Sequence, residues 1–130
     1  MRRAYHYAHS QGKLNLLMQN DFLHSVRFRK LEQRRRILMK ELAALGWLTD
    51  GSVTPNHPGS WRWTRKVKAK TVTVSLSATQ AELFKAAIAT HRRLEAILRE
   101  LRAISQEVLL NSAESVRRKS NSAHPKSVLT

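Results

Sequence analysis

The chain has 130 residues, enough for one domain, and its 42% hydrophobic content is too high for a chain that stays unfolded throughout. Its 24 Lys and Arg against 9 Asp and Glu leave a net charge of +15, a balance that draws polyanions. The lack of cysteine excludes a disulfide framework and thiolate metal sites, and no apolar run approaches the ~20 residues of a membrane span.

Residues 1–24 read as an N-terminal extension of mixed character. Tyr5, Tyr7, Leu14, Leu16, Leu17, Phe22 and Leu23 suit a short helix from about Lys13, but Gly12 and the His-rich opening supply no firm cap. His6 and His9 stand at a spacing that can hold a metal on a helix, yet no third ligand is near, so they read as solvated side chains. The apolar run Leu14-Asn15-Leu16-Leu17-Met18 is too short for the core of a signal peptide, usually ~7–15 apolar residues, and the expected location is cytoplasmic.

Residues 25–46 read as a helix. Leu31, Leu38, Leu42 and Leu45 fall near one stripe, which Ile37 and Met39 are expected to widen; Ser25 is the candidate N-cap and Gly46 the stop. Six basic residues face one acid, Glu32, between 27 and 36. Glu32 is spaced to pair with Arg36, but the excess is too large for local pairs to absorb, so the run Arg34, Arg35, Arg36 is a candidate for phosphate contact. Residues 47–60 then read as a linker, with turn chemistry at Asp50-Gly51 and from Asn56 to Ser60, and with Pro55 and Pro58 barring a helix. Trp47 and Leu48 are expected to cap the hydrophobic core.

Trp61 to Leu76 carries two of the three Trp residues, five Lys or Arg and no acid. Trp61, Trp63, Arg65 and Val67 alternate with Arg62, Thr64 and Lys66; beyond Lys68-Ala69, Val72, Val74 and Leu76 alternate with Thr71, Thr73 and Ser75. This period of two predicts a two-stranded hairpin turning at Lys68-Ala69, with Val67 facing Lys70, Trp63 facing Val74 and Trp61 facing Leu76. Both indoles then share a face with valine and leucine and are expected to serve as scaffold, with stacking on unpaired bases the alternative. Arg62, Lys66, Lys68 and Lys70 are the outward cations, and Arg65 joins them as a nucleic-acid candidate by charge.

Residues 77–110 form the longest predicted helix. Ser77 or Thr79 is the N-cap, and Thr79 to Glu82 fits a capping box. Ala87, His91, Leu94, Ile97, Leu101, Ile104 and Val108 recur in steps of three and four, a short coiled-coil seam. Five basic and four acidic residues leave this helix almost neutral, so its role is packing, against helix 25–46 or as a homodimer through residues 80–110. Residues 111–130 are Ser-rich, carry Arg117-Arg118-Lys119, and read as a disordered basic tail.

Little in the chain suits catalysis. Nucleophilic chemistry needs a Cys, absent here, or a Ser served by His and carboxylate, and the six His are scattered. The four Gly at 12, 46, 51 and 59 form no phosphate-cradling loop. Only two of the nine acids are Asp, and the acids sit mainly among basic neighbours on helices, which does not suit a carboxylate metal centre. The expectation is a protein that is not an enzyme, with no cofactor and no metal.

The pattern W-x-W-T-R-K-V-x-x-K-T-V-T (Trp61 to Thr73), followed by L-S-x-x-Q (Leu76 to Gln80) and R-R-L-E (Arg92 to Glu95), resembles a small uncharacterised bacterial and archaeal family. Its members are encoded beside, or as parts of, transposase-type mobile elements. The likeness runs from about Ile37 to Leu110 and includes E-L-A-A-L-G (Glu41 to Gly46). Many members have Gly where this chain has Ala69, and many carry a Cys-rich segment and a His-Gly-Pro-Tyr motif just before the hairpin. Here that stretch is T-P-N-H-P-G-S-W, with His57 alone, so any zinc-like site of those relatives is missing. The resemblance implies an accessory role in mobile DNA and brings no catalytic residues.

Together these readings predict an α+β, mostly helical protein: an N-terminal helix, a basic two-stranded β-hairpin and a long C-terminal helix, forming a helix-hairpin-helix domain over residues 25–110. The expected function is non-catalytic binding of nucleic acid, DNA in preference to RNA, through Arg34, Arg35, Arg36, Arg62, Arg65, Lys66, Lys68 and Lys70. The alternative is an interaction subunit that dimerises or docks on a transposase or other nucleic-acid enzyme.

Overall fold

A computed structural model describes residue 12 and residues 21–116. In chain order it has a 3-10 turn at Asp21–His24, helix α1 at Val26–Ala44, strands β1 at Ser52–His57, β2 at Ser60–Val67 and β3 at Lys70–Ser77, and helix α2 at Ala78–Asn111. The class is α+β, two helices with a three-stranded antiparallel sheet in the order β1-β2-β3. The sequence expectations at Lys13, at His6 and His9, and at Arg117-Arg118-Lys119 lie outside the described residues. The chain divides into two compact units, residues 38–100 and residues 1–37 with 101–130.

The 38–100 unit holds the sheet. Strand β2 pairs with β3 in the register that the alternation predicts: Trp61 opposite Leu76, Trp63 opposite Val74 and Val67 opposite Lys70. Register is firm here because a slip of one residue would turn both indoles into solvent. The connecting residues Lys68 and Ala69 have φ of 49° and 66°. Two successive positive φ values define a type I′ turn, whose twist matches that of the flanking strands. Neither residue is Gly, so the hairpin carries local backbone strain.

The sheet has one strand more than predicted. Ser52–His57, read as part of a linker, pairs antiparallel with β2, placing Val53 opposite Trp63 and Pro55 opposite Trp61. Proline is compatible with this strand because β1 is an edge, where one side of the backbone needs no partner. The register shifts between Pro55 and His57, and Pro58-Gly59 turns the chain back with Gly59 at φ 78°.

The buried face of the sheet meets α2. Trp63, Leu76 and Ile88 form the buried cluster, with Val53, Trp61 and Phe84 packed against it. The rings of Trp63 and Phe84 lie 4.7 Å apart between centroids, tilted by 48°. Burial of these rings against a helix supplies what a hairpin alone lacks, since two strands in water are only marginally stable. Trp63 Nε1 donates to the carbonyl of Asp50 at 2.8 Å, anchoring the chain where it enters β1. Helix α2 starts with a reciprocal capping box, in which the Gln80 amide donates to Ser77 Oγ (3.2 Å) and the Ser77 amide donates to Gln80 Oε1 (2.9 Å). The box therefore sits two residues before the predicted Thr79–Glu82 pair, because Ser-x-x-Gln satisfies the same geometry. In this unit Arg93 of α2 grips Glu41 of α1 with two donors, Nη2 reaching Oε1 at 2.6 Å.

Buried side chains include Leu38 of α1 and Ala81, Ile88 and Ile97 of α2. Two expectations for apolar residues are corrected here. Ile37 and Met39 are exposed, not part of the buried stripe, since they neighbour Leu38 on the helix and project away from it. Trp47 and Leu48 do not cap the core: Trp47 is 94% exposed and Leu48 43%. The buried cluster on the sheet's apolar face is made by Trp63, Leu76 and Ile88 with Val53, Trp61 and Phe84 packed against it, and neither Trp47 nor Leu48 belongs to it.

In the other unit, the Ser25 N-cap forms as predicted, its Oγ accepting from the Phe28 amide at 3.0 Å. Phe28 meets Phe22 of the 3-10 turn edge to face, at 6.0 Å between centroids. Leu31 and Ile104 are buried, the latter on the predicted seam. Arg27 of α1 makes a bidentate pair with Glu107 of α2 at 2.6 and 2.7 Å. The hydrogen bonds from Arg27 hold the Glu107 carboxyl below its ordinary pKa.

Candidate functional site

The antiparallel register sorts the side chains of the sheet onto two faces. The face opposite the indoles carries Ser52 and Thr54 from β1, Arg62, Thr64 and Lys66 from β2, and Thr71, Thr73 and Ser75 from β3. Every one of these residues bears a hydroxyl or a cation, and none is aromatic. Thr64 and Thr73 stand opposite each other with their hydroxyl oxygens 3.4 Å apart. Arg62 and Lys66, both exposed, lie four residues apart on the central strand, about 13 Å at the usual rise per residue. Arg62 is flanked by Thr54 and Ser75, and Lys66 by Thr71.

Lys68 and Lys70 extend this charge to the tip of the hairpin, both exposed. From residue 51 to residue 81 the chain contains no acid, so nothing within the sheet neutralises these groups. Among the described residues, no carboxylate forms an ion pair with Arg62, Lys66, Lys68 or Lys70. Four cations without counter-charges on a surface of small hydroxyl side chains make a site suited to anionic oxygens, which accept hydrogen bonds from both kinds of group.

Arg65 takes a different position. It points to the indole side of the sheet, where its guanidinium carbon lies 4.1 Å from the centre of the Trp63 ring, and it is half-buried. Its Nε is buried without a hydrogen-bond partner. Lys85 of α2 covers Trp61 in the same way, at 4.1 Å. Both Trp rings of the hairpin are therefore covered by cations of the chain itself. The alternation carried the signal for Arg65, since it shares the parity of Trp61 and Trp63.

Arg34, Arg35 and Arg36 belong to the unit of residues 1–37 with 101–130. Arg35 and Arg36 are exposed, and both reach Glu32 at 3.3 Å, the spacing-derived pair widened to a three-residue cluster. That shared carboxylate offsets part of their charge, in contrast to the hairpin cations.

A second surface feature was not anticipated from the sequence. Within the sheet unit, Trp47, Leu48, Trp63, Leu83, Phe84 and Ala87 line a groove of about 650 Å³. Leu83 is 66% exposed beside the outward Trp47, and the amide of Thr49 donates to the Ala87 carbonyl at 3.3 Å, fixing the 47–49 segment across the helix. The signal available in the sequence was Leu83, which lies off the heptad seam.

Among the described residues no three His, Asp or Glu side chains come together as metal ligands, and no helix is long and apolar enough to cross a membrane. Set against known proteins, the chain matches no protein-family model, no curated protein and no solved structure.

Proposed function

We propose that this chain is a non-catalytic nucleic-acid-binding protein, an accessory of mobile DNA, that contacts phosphates through the outer face and tip of its hairpin. The observation that carries this reading is the set Arg62, Lys66, Lys68 and Lys70, exposed on a sheet without acids and without ion-pair partners among the described residues. A cluster of like charges costs stability through mutual repulsion, and binding a polyanion relieves that cost. The Arg34–Arg36 run contributes further phosphate contacts from its own unit, weakened by Glu32. The mobile-element setting rests on the resemblance of Trp61 to Thr73, and the preference for DNA follows it.

A mobility-shift titration against DNA across a range of salt concentrations tests the reading. Affinity should fall steeply with salt, as each neutralised phosphate releases counterions. An absence of binding at low salt would sink it.

A second reading, a subunit docking on a transposase or other nucleic-acid enzyme, is favoured by one observation. The 94% exposed Trp47 beside Leu83 leaves an apolar groove open to solvent. Light scattering on the wild type and on Leu83→Asp, alone and mixed with a candidate enzyme, separates the two readings. Docking through the groove predicts loss of the complex in the variant with DNA affinity intact.

A further inference from the structure

Resting on the reading of the hairpin as a nucleic-acid site, we infer that its ligand is duplex DNA, held by its phosphates, and not an unpaired strand. Tight binding of a single strand without sequence preference relies on aromatic rings on which successive bases stack. The outer face offers Thr54, Arg62, Thr64, Lys66, Thr71 and Thr73, with no ring among them. The two indoles of the hairpin lie on the opposite face, under Arg65 and Lys85. Trp47, the exposed indole, sits in the segment between α1 and β1 and not on the sheet.

What the face does offer suits a rigid polyanion. Short hydroxyl side chains on a hydrogen-bonded sheet are fixed in position, and they reach only a partner whose own oxygens are already in place. A duplex holds its phosphates in such rows, whereas a flexible strand must be ordered at an entropic cost that stacking normally offsets. The hairpin tip also has a suitable form: beyond Thr64, where β1 no longer pairs, β2 and β3 continue alone as a two-stranded ribbon, which a major groove about 12 Å wide admits. The type I′ turn at Lys68-Ala69 ends this ribbon in the narrowest possible tip, with Lys66, Lys68 and Lys70 around it. In this arrangement the tip lysines meet phosphates on the groove's rims and the hydroxyls donate to phosphate oxygens beside them.

The 130-residue chain, a labelled DNA duplex and its separated strands provide the test, read by fluorescence anisotropy at several salt concentrations. The duplex should bind at least about ten-fold more tightly than either strand, with Trp emission unaltered, since base stacking on an indole would quench it. With four phosphate contacts, raising salt from about 50 to about 200 mM should weaken duplex binding by about 150-fold, following a log–log slope near −3.6. In Lys68→Gln/Lys70→Gln that loss should shrink to about 12-fold, with the slope near −1.8. Arg62→Gln/Lys66→Gln should give the same reduction and guards against a variant that unfolds the tip.

Strands that bind as tightly as the duplex, or Trp quenching that disappears in Trp47→Ala, would overturn the duplex assignment and leave nucleic-acid binding intact. Tighter binding to duplex RNA of the same length would likewise overturn the assignment to DNA. No binding to any of these polymers at low salt would remove the functional reading itself and this inference with it.

Discussion

Gly51 is the residue on which the entry into the sheet most depends, and its replacement by Ala should be costly. Its φ is +99°, and a Cβ placed on it would lie 2.5 Å from the Thr64 carbonyl oxygen and 2.7 Å from Trp63 Nε1. Neither neighbour can yield cheaply. The carbonyl belongs to the central strand, and the indole nitrogen is donating to Asp50 at 2.8 Å. The conformation alone costs an L-residue about 1–3 kcal/mol, and leaving the Trp63 donor unsatisfied costs about 1–3 kcal/mol more. Gly51→Ala should therefore lose about 2–6 kcal/mol, a large share of the total for a domain this size. Gly59→Ala is the matched control: φ is +78°, but nothing lies within 4 Å of the added Cβ, so it bears the conformational cost alone. Urea unfolding followed by Trp emission gives both values, and the indole proton resonance of Trp63 reports the hydrogen bond. A loss below about 1 kcal/mol in Gly51→Ala, or equal losses in the two variants, would refute the steric argument.

Three other outcomes follow from the same structure. Ala69→Gly should stabilise the chain by about 0.5–1 kcal/mol, because it relieves an Ala at φ 66°; an unchanged or lower urea midpoint would contradict that. Ser77→Ala should cost about 1 kcal/mol by opening the capping box with Gln80, while Thr79→Ala should cost less than half of that; the reverse order would restore the Thr79 box. The Glu107 carboxyl is held low by Arg27, so its stabilising contribution is present above the unfolded carboxylate pKa and fades as pH falls through the lower folded value. Stability measured from neutral pH down through the carboxylate range should therefore decline less in Arg27→Ala than in the wild type, and an identical acid limb would show that the pair is not coupled to folding.

The parts of this fold that were legible in the sequence are those where two independent patterns agree. The hairpin register was readable because alternation on either side of Lys68-Ala69 placed the same side chains together, and a slip would have broken both halves. Strand β1 was not readable, since Val53 and Pro55 are its only apolar inward residues and two prolines imitate a linker. Trp47 misled because apolarity states only that a side chain tends to be buried, and the buried cluster forms from Trp63, Leu76 and Ile88 without it. The site divided along the same line. Arg62 and Lys66 follow from strand parity, which equally places Arg65 against Trp63, whereas charge alone groups all three together. The apolar groove depends on where the 47–49 segment crosses α2, a long-range contact without local periodicity.

Mapping backbone amide resonances during titration with a DNA duplex tests, residue by residue, whether the outer face and tip of the hairpin meet DNA. Shifts should concentrate at Arg62, Thr64, Lys66, Lys68, Lys70 and Thr73 and fade as salt is added, with the amides around Trp47 and Leu83 unmoved. Shifts confined to the Trp47–Leu83 groove, or a hairpin whose resonances stay in place while DNA binds elsewhere, would contradict that contact.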